Sequence, residues 1–413
     1  MAIIVQKFGG TSLASEAMRE KAIEHIQNAK EAGDQVVVVV SAMGRKGSAY
    51  ATDTLIDLMS QVSDRPNKRA LDLVMSCGEI ISCSLLVQLL ARKGIEAIPL
   101  TGAQAGIITD AEFGNARIIE VRPKRILEEL GKNRVVVVAG FQGCTTNQEI
   151  TTLGRGGSDT TAAALGVALQ AKAVYIFTDV DGILTADPRI VPDAQRLPNT
   201  TYREVTELAQ LGAKVIHPRA VEIAMQGRVP LIICATGKDG SGTVVGDGPW
   251  DGPVEIKGDR LVSAVTQITG LALVSVLPDA GHGISMEQAR QLFTSVAGLG
   301  VSVDLIFLSP GLIGFCVGQE EAGLVENRLR ELVFNVSVKK GYAKVSCVGA
   351  GMRGVPGVMA KIVEALYEAD VCVYHTSDSH ASISCLVEEK DYKTAVRALH
   401  CKFDLGSTNV RGS

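Results

Sequence analysis

The stretch TTLGRGGSDTTAAALG (151–166) places Gly154, Arg155, Gly156, Gly157, Ser158 and Asp159 together just before an alanine-rich run. Glycines let the main chain come close to a ligand, an arginine offers a planar fork for a carboxylate, and a helix N-terminus favours negative charge. Taken alone, the stretch reads as a capped turn, with Asp159 or Ser158 in capping position and Arg155 facing solvent. It does not stand alone. VQKFGGTSLAS (5–15) runs Lys7 into Gly9 and Gly10, where backbone N–H groups can approach phosphate oxygens and Lys7 adds a point charge. FTDVDGILTADPR (177–189) ends an apolar run in Thr178, Asp179 and Asp181, and LGAKVIHPRAVEIA (211–224) adds Lys214. SCGEIIS (76–82) puts Glu79 ahead of an apolar helical stretch, where a lone glutamate also serves as a helix-dipole partner. These residue types suit phosphoryl transfer to an acid. Lys7, Lys214, glycine amides and a Mg²⁺ would neutralise phosphates, Arg155 would fork onto a carboxylate, and Glu79 and Asp159 would take an ammonium. A carboxylate acceptor is already ionised at neutral pH, so positioning and charge neutralisation would carry the catalysis.

Neither glycine loop is a G-x-x-x-x-G-K-[ST] phosphate loop or a G-x-G-x-x-G dinucleotide fingerprint. What could gather them is the element pattern. The runs IIVQ (3–6), VVVVVS (36–41), RVVVVAG (134–140), VYIFTD (174–179) and VPLIIC (229–234) are continuously apolar and alternate with helical patterns such as 15–33. That pattern predicts an α/β fold, a mostly parallel sheet covered by helices on both faces. The polar loops would then collect at the carboxyl ends of its strands, where such sheets bind ligands.

The chain has 413 residues, 46% hydrophobic and 21% charged, with a net charge of −4. This fits a globular protein of two or three domains and argues against nucleic acid as a main partner. No basic n-region followed by an apolar h-region opens the chain and no apolar run reaches ~18 residues, so no membrane association and a cytoplasmic location are expected. Nine cysteines occur without a C-x-x-C pair, which predicts buried thiols rather than a metal or disulfide framework. GDGPWDGP (246–253) reads as a linker. Beyond it, aligning residue n with n + 70 superposes GVSVDLI (300–306) on DVCVYHT (370–376), IGFCVGQEE (313–321) on ISCLVEEKD (383–391) and VENRLRELV (325–333) on AVRALHCKF (395–403). Each copy reads strand, helix, strand, strand, helix, so a duplicated α+β module is expected. The predicted organisation is a catalytic domain over 1–247 and two modules over 263–337 and 338–413.

The motifs KFGGTS, SCGE, GFQG, GRGGSDTTAAALG, TDVDGILTADPR and GAKVIHPRAVEIA, in this order, resemble the aspartate kinase family of the amino-acid kinase superfamily. The duplicated tail resembles that family's paired ACT modules, the first inserted into the second, which implies that residues 254–262 add a strand to the second module. SAMGRKGSAYATD, LTGAQAG and TSDSHASISCLVEEKD look most like its Bacillus-type, diaminopimelate-sensitive members. The resemblance implies transfer of a phosphoryl group from ATP, with Mg²⁺, to the side-chain carboxylate of L-aspartate. It implies regulation by an end-product amino acid (diaminopimelate, lysine or threonine), and a homodimer or higher homo-oligomer built through the ACT modules. By motif it places phosphate binding on Lys7, Gly9, Gly10, Ser41 and Lys214, and aspartate binding on Thr52, Glu79, Arg155, Ser158 and Asp159 with Phe141 as a wall. The nucleotide loop falls on Thr178, Asp179, Asp181 and Arg189, the catalytic charges on Lys7, Asp159 and Lys214, and effector contacts on Asp279 and Asp304. No resident metal site is implied. Leu184 stands where the family often has an aromatic residue, and Leu308 where threonine- or lysine-binding members carry Gln. The alternatives are an amino-acid kinase for another substrate, such as glutamate, or an amino-acid sensor without catalysis.

Overall fold

The structure is a computed structural model that describes residues 1–213, 215–238, 240, 242–248, 261–278, 283–350, 352 and 355–406. The chain divides into two compact units: Met1–Ile183 with Arg196–Ala209 and Lys214–Val254, and Leu184–Gln195 with Gln210–Ala213 and Glu255–Ser413.

The first unit is built on an eight-stranded sheet. Its strand order is Asn199–Thr200, Thr243–Val245, Leu231–Ala235, Ala173–Thr178, Ile3–Phe8, Gln35–Val40, Val135–Ala139, Ala97–Leu100. Every adjacent pair is parallel except Leu231–Ala235 with Thr243–Val245. The valine runs are explained by burial on both faces. Val36, Val38 and Val40 join a cluster with Ile23, Ile26, Leu86 and Leu90, contributed by the helices Glu16–Glu31 and Lys68–Arg92. Val37 and Val39 are equally buried on the opposite face, where helix Gly157–Ala168 packs. The helix read at 15–33 has Ser15 as its N-cap, accepting from the Met18 N–H. Helix Lys68–Arg92 is long and apolar enough to cross a membrane, yet it buries Asp72 and Glu79 and packs on the sheet as a core helix.

A small second sheet, ordered Ile118–Val121, Ile107–Thr109, Gln142–Cys144, Ile150–Thr152, leaves the end of strand Val135–Ala139. Its last two strands form a hairpin that returns the chain to its start, so that the Leu153 N–H donates to the Phe141 carbonyl at 2.8 Å. The GFQG and GRGGSD motifs are thereby brought side by side.

In the second unit the repeat appears as one six-stranded sheet, Asp304–Ser309, Leu312–Gly318, Ala264–Leu277, Asn335–Val348, Ser382–Glu388, His375–Asp378. The two long central strands run antiparallel with a register break, and Gly270 and Gly341, both at positive φ, sit at it. Leu271–Leu277 and Asn335–Lys340 complete a module with helices Met286–Gly298 and Ala322–Glu331. Ala264–Ile268 pairs with Lys344–Val348 and completes the other module, with helices Val358–Glu368 and Tyr392–Lys402. Of the segment 254–262, residues 254–260 lie outside the described residues, while Leu261 and Val262 pack in the second module's core. Six of the nine cysteines are buried and all are free.

Candidate active site

Strands Ile3–Phe8, Gln35–Val40, Val135–Ala139 and Ala173–Thr178 end at one edge of the large sheet, and the polar loops lie there. Lys7 is the penultimate residue of its strand. Like Val5, it projects to the face covered by helix Gly157–Ala168, and its Nζ meets Asp159 Oδ1 at 2.7 Å, with both side chains nearly buried. The strand then turns at Gly9 and Gly10 into a short 3₁₀ turn, Thr11–Leu13. Gly10 is a place where only glycine fits: a Cβ would lie 2.6 Å from the Ala42 carbonyl oxygen and 2.7 Å from that of Gly44. The Gly44 N–H donates to Gly10 and the Ser41 N–H to Phe8, which locks this turn to the loop after the neighbouring strand.

Helix Gly157–Ala168 starts differently from the capped turn read in the sequence. Its N-cap is Gly156, in the left-handed region at φ 66°, with no side-chain cap. Ser158 and Asp159 fall in the first turn instead, because Gly154 and Gly156 both take positive φ and bend the chain ahead of them. The carboxylate therefore faces Lys7, near the positive end of the helix. Ser158 is buried beside Gly140, where an added Cβ would lie 2.9 Å from its Oγ. Arg155 is exposed on the turn. Phe141, at φ 68°, packs against Gly157, so an apolar wall stands next to Arg155, Ser158 and Asp159.

Glu79 also sits elsewhere than read. It lies in the middle of helix Lys68–Arg92, three turns after the Asn67 cap, and acts on no helix dipole. Its Oε1 accepts from the Ala42 N–H at 3.1 Å, while its buried Oε2 has no hydrogen-bond partner. Burial pushes its pKa up to about 8, against the smaller opposing effect of the Ala42 bond. Gly78 makes this approach possible: a Cβ there would lie 2.8 Å from both the Ala42 Cβ and the Tyr50 carbonyl oxygen. Thr52, half-buried, opens helix Thr52–Ser60 directly after that loop.

On the other side, Thr178 donates to Asp179, and exposed Asp179 pairs with Arg45 at 2.8 Å. Asp181 has a buried Oδ1 without a hydrogen-bond partner and the Lys238 ammonium 3.9 Å from Oδ2. The Thr236 N–H donates to the Thr178 carbonyl, and its hydroxyl donates to Ser12, which ties this loop to the glycine turn. Arg189 belongs to the second unit's segment Leu184–Gln195, its guanidinium forked onto Asp187, which raises its pKa. Lys214 and Asp279 lie outside the described residues. Asp304, in the second unit, forms an ion pair with the buried Lys344.

The structure thus gathers Lys7, Gly9, Gly10, Ser41, Glu79, Phe141, Ser158 and Asp159 around one edge of the sheet. The sequence reading missed the supports: Asp72, Gly78, His217 and Arg219. The HPR of the last motif was a visible signal, since a proline flanked by polar residues marked the start of a helix.

Residues 2–235 match the model of the amino acid kinase family, and residues 337–401 that of the ACT domain. Aspartokinase 1 of Bacillus subtilis (strain 168) is 44% identical over 405 residues, covering 98% of this chain and all of that protein. The chain belongs to the aspartokinase family. The crystal structure of E. coli aspartokinase III in complex with aspartate and ADP superposes with a TM-score of 0.77 at 25% identity, covering 97% of this chain and 99% of that one. The aspartate kinase of Clostridium acetobutylicum, at 22% identity and a TM-score of 0.79 over 97% and 100%, shares the fold. Family membership accounts for the ordered motifs, the α/β kinase fold and the ACT-type second unit together.

Proposed function

We propose that the chain catalyses ATP + L-aspartate → ADP + 4-phospho-L-aspartate under feedback control by an end-product amino acid. The observation that carries the reading is the Lys7–Asp159 pair, set between the glycine turn and the helix N-terminus. Lys7, with the amides of Gly9 and Gly10, Ser41 and Lys214, draws the phosphates in and offsets charge that grows on the transferring group. Asp159 holds the Lys7 ammonium in place before substrate arrives. Arg155 forks onto the α-carboxylate of aspartate. Glu79 and Asp159 receive its ammonium, while Thr52 and Ser158 bond its oxygens and Phe141 limits its length. The buried Glu79 Oε2, without a hydrogen-bond partner in the empty site, is the oxygen that would meet the substrate ammonium. Thr178, Asp179 and Asp181 serve the nucleotide.

The donor set fits a Mg²⁺ that arrives on the nucleotide. Among the described residues no three His, Cys, Asp or Glu side chains converge, and Asp181 keeps one buried acceptor unpartnered. Asp181 would help hold such an ion, which would supply positive charge at the phosphates. Effector control by diaminopimelate, lysine or threonine falls to the ACT modules, with Asp279 and Asp304 as contacts. Assembly into a homodimer or larger oligomer proceeds through the same modules, in the cytoplasm. E. coli aspartokinase III has been solved with lysine and aspartate, which supports an amino-acid effector here.

A hydroxamate-trapping assay with Mg-ATP tests the reaction. Product from L-aspartate, well above that from L-glutamate or N-acetylglutamate, is the expected result, with inhibition by one of the three effectors. Equal turnover of glutamate would overturn the substrate, and no product from any acid would leave a sensor.

A further inference from the structure

Leu153–Gly154–Arg155–Gly156 connects the small sheet to the helix that carries Ser158 and Asp159. With Gly154 at φ 73° and Gly156 at φ 66°, this turn has no stiffness of its own, because glycine leaves the main chain free over a wide range. Yet Arg155 and Asp159 must hold one geometry to recognise a small amino acid. Something outside the turn has to fix it.

Helix Pro218–Gly227 supplies that support. Arg219, one residue inside its start, donates from one guanidinium nitrogen to the Leu153 carbonyl at 3.1 Å and from the other to the Ala116 carbonyl at 2.9 Å. Ala116 is itself bonded to the same strand, its N–H donating to Thr152. Among the described residues Arg219 makes no ion pair; burial, with Arg117 nearby, lowers its pKa. Two divergent donors in a rigid plane can hold two carbonyls at once, which a lysine ammonium on a flexible stem does less well. His217 caps the helix through Nδ1, accepting from the Arg219 N–H at 3.3 Å, and its side chain fills the space where any residue larger than glycine at 156 would stand. The turn is therefore held at its entry by Arg219 and at its exit by His217. A third support comes from the opposite side. Asp72, fully buried, accepts from the Thr152 N–H and hydroxyl, both at 2.8 Å, and from the Gly114 N–H at 3.0 Å.

We propose that Arg219, seated by His217, is a positioning residue for the amino-acid side of the site. It fixes the Gly154–Gly156 turn so that Arg155 and the Ser158–Asp159 turn meet the α-carboxylate and ammonium of the substrate. This rests on the aspartate-kinase reading of the site. The phosphate side, held through Gly10, Ser12 and Thr236, does not pass through Arg219.

The test is steady-state kinetics of the full-length chain with Arg219→Met and Arg219→Lys, varying aspartate and ATP separately. Loosening the turn by a fraction of an ångström should raise KM for aspartate by about tenfold or more in Arg219→Met, with KM for ATP within about twofold of wild type. Arg219→Lys should recover part of the loss. If both KM values rise together, or only the active fraction falls, Arg219 is merely structural and the proposal fails. Should Arg219→Met not fold, His217→Ala carries the test, with the same selective rise in KM for aspartate expected and its absence equally decisive. Wild-type turnover of an acid other than aspartate would overturn the substrate reading alone, and the same split would then be measured with that acid.

Discussion

Two loops at the same sheet edge are built by opposite means. The Leu153–Asp159 loop is braced at nearly every residue. Leu153 is bonded to Phe141 and Arg219, Gly156 and Gly157 are pressed against His217 and Phe141, and Asp159 pairs with the nearly buried Lys7. The Thr178–Asp181 loop is tied at Thr178, but its carboxylates meet the outlying cations Arg45 and Lys238 across exposed or long contacts. The first loop must discriminate a small amino acid, which requires fixed donors and acceptors at close range. The second faces a polyanion, where charge acts over distance and exact placement matters less. Geometry should therefore govern one side and electrostatics the other, and substitutions can separate the two.

The largest effect should come where both sides meet. Lys7→Ala removes the ammonium beside the transferring phosphoryl group and leaves Asp159 without its partner. We expect kcat to fall by at least ~100-fold, measured by the hydroxamate assay on folded protein, and the melting temperature to fall as well, because the nearly buried Asp159 carboxylate loses its counter-charge. Activity within about tenfold of wild type would sink the role given to Lys7 and shift the burden to Lys214.

How much of this was readable beforehand differs between the two units. The parallel sheet followed from the valine runs, because only strands buried on both faces lack alternation. The duplicated module followed from one constant offset, but its merging into a single sheet did not. That depends on two strands of doubled length whose change of partner is marked only by Gly270 and Gly341. In the site, residue types that bind charge were legible because few other reasons put Lys, Arg and Asp among glycines. The conformation around them was not. Asp159 read as a cap because Asp is a good one, whereas two left-handed glycines moved the helix start to Gly156. Glu79 read as a first-turn residue because Ser76, Cys77 and Gly78 just before it look like a break, although the helix already began at Lys68. Asp72 gave no local signal, and Arg219 none beyond the HPR that marks a helix start, since the partners they hold lie 80 and 66 residues away in the chain.

Next in size is Glu79, which tests the geometric side through pH. Its folded pKa of about 8 lies above the ordinary value, so the empty site holds it protonated at neutral pH. Substrate ammonium favours the carboxylate, so kcat/KM for aspartate should rise with pH through about 8 and then level off. Glu79→Gln should flatten that rise and lower kcat/KM above it by about 10- to 100-fold, the worth of a hydrogen bond to a charged group. Stability has its own sign. Between its ordinary pKa and about 8 the folded state binds more protons at Glu79 than the unfolded state does, so this group costs stability as pH rises through that window. Glu79→Gln should accordingly gain thermal stability relative to wild type at pH 8.5 more than at pH 5. A pH-independent difference between the two proteins would mean Glu79 is ionised in the folded state, and its unpartnered oxygen would need a donor at rest.

The smallest effect is expected at Arg45, and it sets the limit of the electrostatic argument. The pair with Asp179 is short, yet 73% and 54% of the two side chains are exposed. Exposed pairs contribute ~0.2–1 kcal/mol and weaken with salt, so Arg45→Ala should change KM for ATP by no more than about fivefold. The change should shrink further when ionic strength is raised from about 0.05 to 0.3 M, while KM for aspartate stays fixed. If kcat instead drops tenfold or more at both salt concentrations, Arg45 leaves Asp179 and reaches the phosphates during turnover. The Thr178–Asp181 loop would then be as dependent on fixed geometry as the loop around Arg155, and the contrast between the two sides would hold only for the empty enzyme.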